Sequence, residues 1–158
     1  MLGSCEVNKT SFSEPIVQEL VKFHHVKMLQ TGPKDEVFAL DLNALQQPDI
    51  TGFAAWSGSE LLGVGAFKTH HGFGEIKAMR TVPNKLRLGV GSSILLNIES
   101  FAISEGVELI KLETGSSSHF VAANAFYKKH NYTLCRPFAN YKHNGVSLFY
   151  EKSLRREA

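Results

Sequence analysis

A glycine-containing turn that joins a strand to a long amphipathic helix constrains the fold more than any other feature of this sequence. The predicted strand covers Gly74 to Val82, and the turn contains Gly89-Val90-Gly91. The helix that follows repeats apolar residues at the spacing of one buried face, namely Ile94, Leu95, Ile98, Phe101 and Ala102. We expect Gly106 to end it, because glycine readily takes the left-handed conformation at a helix C-terminus. A helix that leaves a strand in this way covers one face of a sheet, which favours an α/β domain.

The rest of the chain alternates strands and helices in the same manner. We predict an opening strand over Leu2 to Lys9, a helix from Pro15 to about Thr31, and a short helix over Asp35 to Leu45. The later elements are a hairpin around residues 57–60, a strand over 107–112, a helix over 118–130, and closing strands over 132–135 and 147–151. We find neither a repeat nor a linker, so residues 1–158 are expected to form a single domain.

The near balance of positive and negative side chains restricts the classes of partner expected for this chain. Seventeen Lys and Arg stand against 15 Asp and Glu, a formal net charge of +2. Such a balance gives no strong attraction to nucleic acid or to an anionic membrane. We expect neither a secretory signal nor a membrane span. The two cysteines, Cys5 and Cys135, lack metal-site spacing, so we expect a cytoplasmic protein with reduced thiols.

The turn has the composition of an anion-binding site. Backbone N–H groups at a helix N-terminus lack intrahelical partners and point at one place, where they hold phosphate well. Gly89 and Gly91 allow the backbone to approach a phosphate closely, and Lys85 and Arg87 add positive charge. The residues after the turn match neither a Walker loop nor a dinucleotide fingerprint. From these residues alone, a phosphate site and a plain tight turn both remain open.

Several motifs follow one another in the second half of the chain. They are Gly74-Glu75-Ile76-Lys77-Ala78-Met79-Arg80-Thr81, Pro83 through Gly91, Leu112-Glu113-Thr114-Gly115, Ala123 through Tyr132, and Pro137-Phe138-Ala139-Asn140-Tyr141 with Ser147-Leu148-Phe149. In this order they resemble the central strand, the pyrophosphate loop, the next strand end, the late helix and the tail of small bacterial members of the GNAT superfamily. That superfamily consists of acetyl-CoA-dependent N-acetyltransferases, and the resemblance covers about Phe53 to Leu154.

The resemblance implies a mixed, mostly antiparallel β-sheet, splayed open between two neighbouring strands and flanked by helices. Acetyl-CoA is the co-substrate in that superfamily, and its pantetheine arm lies in the gap like an extra strand. By position, the backbone of Met79 and Thr81 is expected to pair with pantetheine. The pyrophosphate is expected to lie beside Arg87, against the backbone amides of Leu88, Gly89, Val90, Gly91, Ser92 and Ser93.

Three positions depart from the pattern of the superfamily, and one of them, Asn131 in place of the usual Gly, stands at the end of the late helix. Leu86 stands where Arg or Gln is common, and the cation follows one residue later at Arg87. Phe120 stands where the late helix often begins with Asn. We therefore expect one side-chain contact to the cofactor to be lost, or to be replaced by Asn124 or His119.

The chemistry of transfer from a thioester to an amine suggests roles for individual residues. It needs a neutral amine, a stabilised oxyanion and a proton for the leaving thiolate. The resemblance places Tyr127 near the thioester sulfur, so we expect its phenol to supply that proton. Glu113 and Glu75 lie at predicted strand ends beside the gap, and either can accept the proton of the amine or pair with a cationic substrate. The backbone N–H of Met79 is a candidate oxyanion donor.

Other polar residues carry weaker indications. Adjacent histidines such as His70-His71 cannot easily share an ion, and no Cys or acidic cluster stands near them at ligand spacing, so we expect no metal site. His119 is expected to be a surface residue or a substrate contact. Tyr141 either lines an acceptor pocket or packs internally.

The resulting hypothesis is an acyltransferase that moves acetyl from acetyl-CoA to the amine of a small molecule, by direct attack in a ternary complex. Two alternatives stay open, a protein lysine or N-terminal acetyltransferase and a non-catalytic acyl-CoA-binding module. Many members of the superfamily form dimers, and the sequence leaves the oligomeric state open between a monomer and a homodimer.

Overall fold

The computed structural model describes residues 5–30 and 42–154. Its helices are α1 (Pro15–Gln30), α2 (Leu42–Leu45), α3 (Val90–Ser104) and α4 (Val121–Lys129). Its strands are β1 (Glu6–Thr10), β2 (Ile50–Ser57), β3 (Glu60–Thr69), β4 (Gly74–Thr81), β5 (Leu109–Gly115), β6 (Thr133–Cys135) and β7 (Ser147–Ser153). Short 3-10 turns at Pro83–Lys85 and Ser118–Phe120 precede α3 and α4.

The order of elements matches the predicted order over these residues. Residues 2–4 of the predicted opening strand and 35–41 of the predicted second helix lie outside the described part of the chain, as do both ends of the expected single domain. The strand predicted over 107–112 is β5, which begins at Leu109 and continues to Gly115. It runs further because Glu113, Thr114 and Gly115 each pair with a residue of β7. Glu113 therefore lies inside the strand, not at its end.

The strands that the structure describes form one sheet, in the order β1-β2-β3-β4-β5-β7-β6. Neighbouring strands are antiparallel, except that β4 and β5 are parallel. The chain passes from β4 to β5 through α3, since parallel strands require a crossover connection. The predicted mixed, mostly antiparallel sheet is confirmed. Among the described helices, none is long and apolar enough to span a membrane.

Helices cover both faces of the sheet. On one face, here called the α3 face, Ile94, Leu95 and Ile98 of α3 are fully buried in a cluster with Ile76 and Leu112 of the sheet. Burial of each such side chain contributes about 1.5–3 kcal/mol. On the opposite face, here called the α1 face, buried side chains of α1 pack against those of β2 and β3, namely Val17, Leu20 and Val21 against Ala54, Val64 and Ala66.

The two ends of α3 follow the glycine signals in the sequence. Gly89 precedes its first residue with a φ of 86°, and Gly106 follows its last turn with a φ of 76°. The N–H of Val107 donates to the carbonyl of Ala102 over 2.9 Å, which closes the C-terminus as expected for a left-handed cap. These ends fix where the helix N-terminus stands above the sheet.

Candidate active site

The pairing of β4 with β5 stops after three residues, and the two strands then diverge. The last pair is Ile76 with Leu112, whereas β4 continues to Thr81 and β5 to Gly115. We call the gap between residues 77–81 and residues 113–115 the splay. Backbone N–H and C=O groups along its edges need hydrogen-bond partners, and an extended ligand can supply them as an added strand does. Met79 and Thr81 lie on the β4 side of the splay.

A β-bulge in β4 determines which side chains face each side of the splay. Two residues, Ala78 and Met79, stand opposite a single residue of β3. Ala78 has a φ of 54°, a conformation that costs a non-glycine residue about 1–2 kcal/mol. The bulge turns Met79 to the α3 face, whereas Ala78 packs on the α1 face between Lys77 and Arg80, whose β3 partners lie on that same face. Bulges re-aim side chains in this way next to active sites.

The turn before α3 has the backbone conformation of an anion cradle. Arg87 and Gly89 have φ values of 65° and 86°. The N–H of Ser93 donates to the carbonyl of Gly89 over 3.0 Å, so the N–H groups of residues 90–92 lie in the first helical turn, where they have no intrahelical acceptor. The Arg87 side chain is exposed beside them, and Lys85 instead pairs with Glu60 over 2.9 Å.

The start of α3 lies against α4 and the end of β4. A Cβ atom at Gly91 would lie 3.3 Å from the ring of Phe126 and 3.9 Å from the hydroxyl of Thr81. The hydroxyl of Ser92 is 3.0 Å from Nε2 of His130. The residues predicted to hold the pyrophosphate therefore lie at the Thr81 end of the splay. Their contact with a phosphate stays a prediction.

Tyr127 of α4 is a buried phenol on the α3 face. Its side chain is only 6% exposed, and its ring contacts those of Phe126 and Tyr132, with centroids 5.1 and 5.6 Å away. Its hydroxyl has no hydrogen-bond partner within the described residues. Burial raises the pKa of this phenol, so it holds its proton until a base appears. An unpaired buried hydroxyl is costly, and a ligand acceptor would remove that cost.

Asn124 ties α4 to the end of β5. Its Oδ1 accepts from the Thr114 hydroxyl over 2.6 Å, and its Nδ2 donates to the carbonyl of Gly115 over 3.0 Å. The ring of Phe120 fills the space where a Gly115 Cβ would stand. Asn124 thus has protein partners at both ends of its amide, and its predicted contact with the cofactor stays a prediction.

Glu113 is a half-buried carboxylate on the α1 face, beside the splay. The hydroxyl of Ser147 donates to its Oε2 over 2.7 Å. The Ser147 side chain is itself held, since Nδ2 of Asn144 donates to its hydroxyl over 3.1 Å. Burial raises the pKa of Glu113 to about 7, while the Ser147 hydrogen bond and the charge of Lys77 act in the opposite direction. A carboxylate that titrates near neutral pH suits a general base.

Glu75 occupies the centre of a buried polar cluster on the same face. It is 2% exposed, and its Oε1 lies 2.8 Å from Nε2 of His70. Its Oε2 accepts from the hydroxyl of Tyr141 over 2.8 Å and pairs with Nζ of Lys77 over 3.2 Å. Lys77 also donates to the hydroxyl of Tyr141 over 2.8 Å. Glu75 is therefore saturated with protein partners, whereas Glu113 has a single side-chain hydrogen bond among residues 5–30 and 42–154.

Three members of these clusters carried no role in the sequence analysis. Contacts made in the folded chain bring Lys77, Ser147 and His70 into the site. Tyr141 likewise contacts Glu75 from 66 residues away. The alternation of charged residues at positions 75 and 77, on either side of Ile76, was the signal that could have singled out Lys77. His119 is exposed. No group of metal-ligating side chains forms within the described chain.

Similarity to known proteins settles the family. The sequence matches the Acetyltransferase (GNAT) family over residues 16–132. The chain belongs to the GNAT acetyltransferase family. It is 38% identical over 149 residues to the uncharacterized N-acetyltransferase YedL of Escherichia coli (strain K12), which covers 94% of each chain. It is 40% identical over 141 residues to the uncharacterized N-acetyltransferase YsnE of Bacillus subtilis (strain 168), covering 87% of this chain and 92% of that one. The predicted family and the predicted acyltransferase class are confirmed.

Solved structures of this family share the fold. An acyl-CoA N-acyltransferase structure from Klebsiella pneumoniae superposes with a TM-score of 0.80 at 23% identity, covering 96% of this chain and 98% of that one. The PaiA N-acetyltransferase from Thermoplasma acidophilum, solved in complex with coenzyme A, gives a TM-score of 0.75 at 16% identity, covering 95% and 99%. The predicted GNAT-like fold is confirmed.

Proposed function

We propose that this chain transfers an acetyl group from acetyl-CoA to the amine of a small molecule, by direct attack of the amine in a ternary complex. One observation carries the proposal. A gap in the sheet has a carboxylate with a pKa of about 7 on its α1 face and a buried phenol without a hydrogen-bond partner in the described chain on its α3 face. Acyl transfer needs a proton acceptor for the amine and a proton donor for the thiolate, and these are the two groups.

Acetyl-CoA is proposed to lie in the splay. Its pantetheine arm would pair with the backbone of Met79 and Thr81, where β4 has no partner from β5. Its pyrophosphate would meet Arg87 and the N–H groups of residues 88–93 at the start of α3, an arrangement that suits an anion. The fold shared with the coenzyme A complex of PaiA supports this assignment.

The protein's own groups divide the proton transfers between two faces. The amine nitrogen attacks the thioester carbonyl carbon, and its proton passes to Glu113. The N–H of Met79 stabilises the oxyanion, the carbon–sulfur bond breaks, and Tyr127 gives the thiolate its proton. We assign the base to Glu113 because Glu75 already accepts from Tyr141 and contacts His70 and Lys77. Glu75 is then a positioning residue.

A small acceptor is favoured by how closely the polar cluster is covered. Glu75 and Lys77 have side chains only 3% and 10% exposed. Tyr141 contacts both of them, and its ring packs edge to face against Phe138, which packs in the same way against Phe73. An open groove for a peptide would leave these groups in water. The two free cysteines, Cys5 and Cys135, suit the reducing cytoplasm, where we propose that the reaction takes place.

Steady-state kinetics with a panel of amines test the proposal. Release of the coenzyme A thiol and the mass of the acetylated product report transfer. We expect double-reciprocal lines that intersect, as a ternary complex requires. Parallel lines would indicate an acyl-enzyme and contradict direct attack. Faster transfer to peptide amines than to any small amine would favour the protein acetyltransferase, and binding of acetyl-CoA without any transfer would favour the non-catalytic module.

A further inference from the structure

Arg80 is a cation on the α1 face of the splay that the proposed reaction does not use. The bulge at Ala78 and Met79 leaves Lys77 and Arg80 on the same face, since their partners on β3, Ala66 and Val64, are two residues apart. Two such positions on a strand are separated by about 7 Å. Both cations therefore stand on the same side of the sheet as Glu113.

The guanidinium of Arg80 has no carboxylate partner within the described residues. Its Nε donates to Nδ1 of His24 over 3.1 Å, and its centre lies 5.8 Å from the ring of Phe23. Glu75 pairs with Lys77 and Glu151 pairs with Lys111. Burial lowers the pKa of Arg80, and the group nevertheless stays charged, as arginine does in proteins.

A half-buried cation without a counter-ion is unfavourable, and a bound anion would relieve it. Arginine has five N–H donors, and in the described part of the chain only the one on Nε has an acceptor, Nδ1 of His24. The two terminal nitrogens form the fork that binds a carboxylate through two parallel hydrogen bonds.

The anion does not belong to the cofactor phosphates, because these are placed on the other face. Thr81 follows Arg80 in the strand, and its hydroxyl points to Gly91 at the start of α3. Since side chains alternate along a strand, Arg80 points away from that site and toward α1.

We infer that the acceptor amine carries a carboxylate group, which Arg80 binds with Lys77 beside it. This inference rests on the proposed function and narrows its substrate class to small amino acids in the broad sense, an amine and a carboxylate on one molecule. Arg80 is then a specificity-determining residue, and Glu113 lies on the same face to take the proton of the amine.

The test compares acids with their amides in wild type and in Arg80→Gln. The panel contains alanine, β-alanine, 4-aminobutyrate, glutamate and phenylalanine, each beside the primary amide of its carboxylate. We expect the ratio of kcat/KM for an acid to that for its amide to fall roughly 10- to 100-fold in Arg80→Gln, the range of a charge-assisted hydrogen-bonded pair. Comparing the ratio between variants cancels the different basicities of the amines. Lys22→Gln, which removes an exposed cation from α1, is the matched control and should leave the ratio unchanged.

The outcomes separate this inference from the proposed function. A ratio of kcat/KM for acid to amide that is equal in wild type and Arg80→Gln overturns the carboxylate site, as does a ratio that rises in Arg80→Gln. In either case, amide acetylation or a thermal shift with acetyl-CoA would leave the proposed function standing. Absence of both acetyl-CoA binding and transfer would remove the proposed function, and the inference with it. Arg80→Lys, which keeps the charge without the fork, should retain part of the preference.

Discussion

Replacing Glu113 by Gln should lower activity and raise stability at the same time. The variant keeps an oxygen that can accept from Ser147, but it can no longer take a proton from the amine. Loss of a general base costs about 100- to 10,000-fold in rate, so kcat/KM should fall by that amount at about pH 8. In wild type, ionisation of this carboxyl should add a rise in kcat with pH whose midpoint lies at about 7, its pKa.

The gain in stability follows from the same pKa. Burial raises it from an ordinary 4.5 to about 7, and one pKa unit corresponds to about 1.4 kcal/mol. The ionised carboxylate therefore destabilises the folded state by at most about 3 kcal/mol, an upper value because the side chain keeps some contact with water. For a chain of this size, the unfolding temperature of Glu113→Gln should rise by up to roughly 6–12 °C at about pH 8.

The stability gain of Glu113→Gln over wild type should increase with pH. Below pH 4.5 the carboxyl is protonated in both the folded and the unfolded chain, so the variant gains nothing. Between pH 4.5 and about 7 the unfolded chain loses the proton while the folded chain keeps it, so wild type becomes less stable than the variant. Above that window the difference in the free energy of unfolding no longer changes with pH.

Thermal unfolding at about pH 4 and pH 8, together with kcat/KM at pH 8, checks this prediction. Glu19→Gln, which neutralises an exposed carboxylate on α1, is the control and should change neither quantity. If the unfolding temperature of Glu113→Gln does not exceed that of wild type at pH 8, the argument that burial destabilises the ionised carboxylate is refuted. Unchanged kcat/KM would refute its role as the base.

Three further substitutions test other parts of the site. Tyr127→Phe should lower kcat about 100-fold with little loss in unfolding temperature, because the hydroxyl has no hydrogen-bond partner in the described chain; unchanged kcat would leave the ring only a packing role. Ser147→Ala removes the hydrogen bond that lowers the pKa of Glu113, so the midpoint of the pH–rate profile should move above 7; a fixed midpoint would show that another group titrates. Gly89→Ala places a Cβ at a φ of 86°, which costs about 1–2 kcal/mol, and it should raise the KM for acetyl-CoA, whereas an unchanged KM would separate this turn from the cofactor.

Local patterns in the sequence predicted most of the elements. The face of α3 is formed by the apolar residues whose spacing indicated it, and Gly106 ends the helix with the expected left-handed conformation. The predicted length of β5 was wrong, because its last residues, Glu113, Thr114 and Gly115, lack the apolar pattern of a strand and form one only through pairing with β7. The splay follows from the family resemblance, since no local pattern states where two strands part.

The α1 side of the site could not be predicted from local patterns. The bulge depends on Ala78 at positive φ, and alanine gives no signal for that conformation, as glycine or asparagine would. Glu113 gains its partner from a residue 34 positions away, and Glu75 gains Tyr141 from 66 positions away. These long-range contacts decide which carboxylate has its acceptor positions occupied and which can still accept a proton. The sequence could therefore name both glutamates without choosing between them.

Thermal unfolding with acetyl-CoA, and with ADP as a control, tests the central claim most directly, namely that the splay holds acetyl-CoA. At a ligand concentration of about 100 times Kd, binding stabilises the folded state by about 2.7 kcal/mol, a rise of roughly 5–10 °C at this size. The account predicts that acetyl-CoA raises the unfolding temperature well beyond ADP, because the pantetheine arm adds its pairing with β4 to the contacts of the phosphates. An equal shift with both ligands would leave only the phosphate turn, and no shift at millimolar acetyl-CoA would contradict the cofactor site.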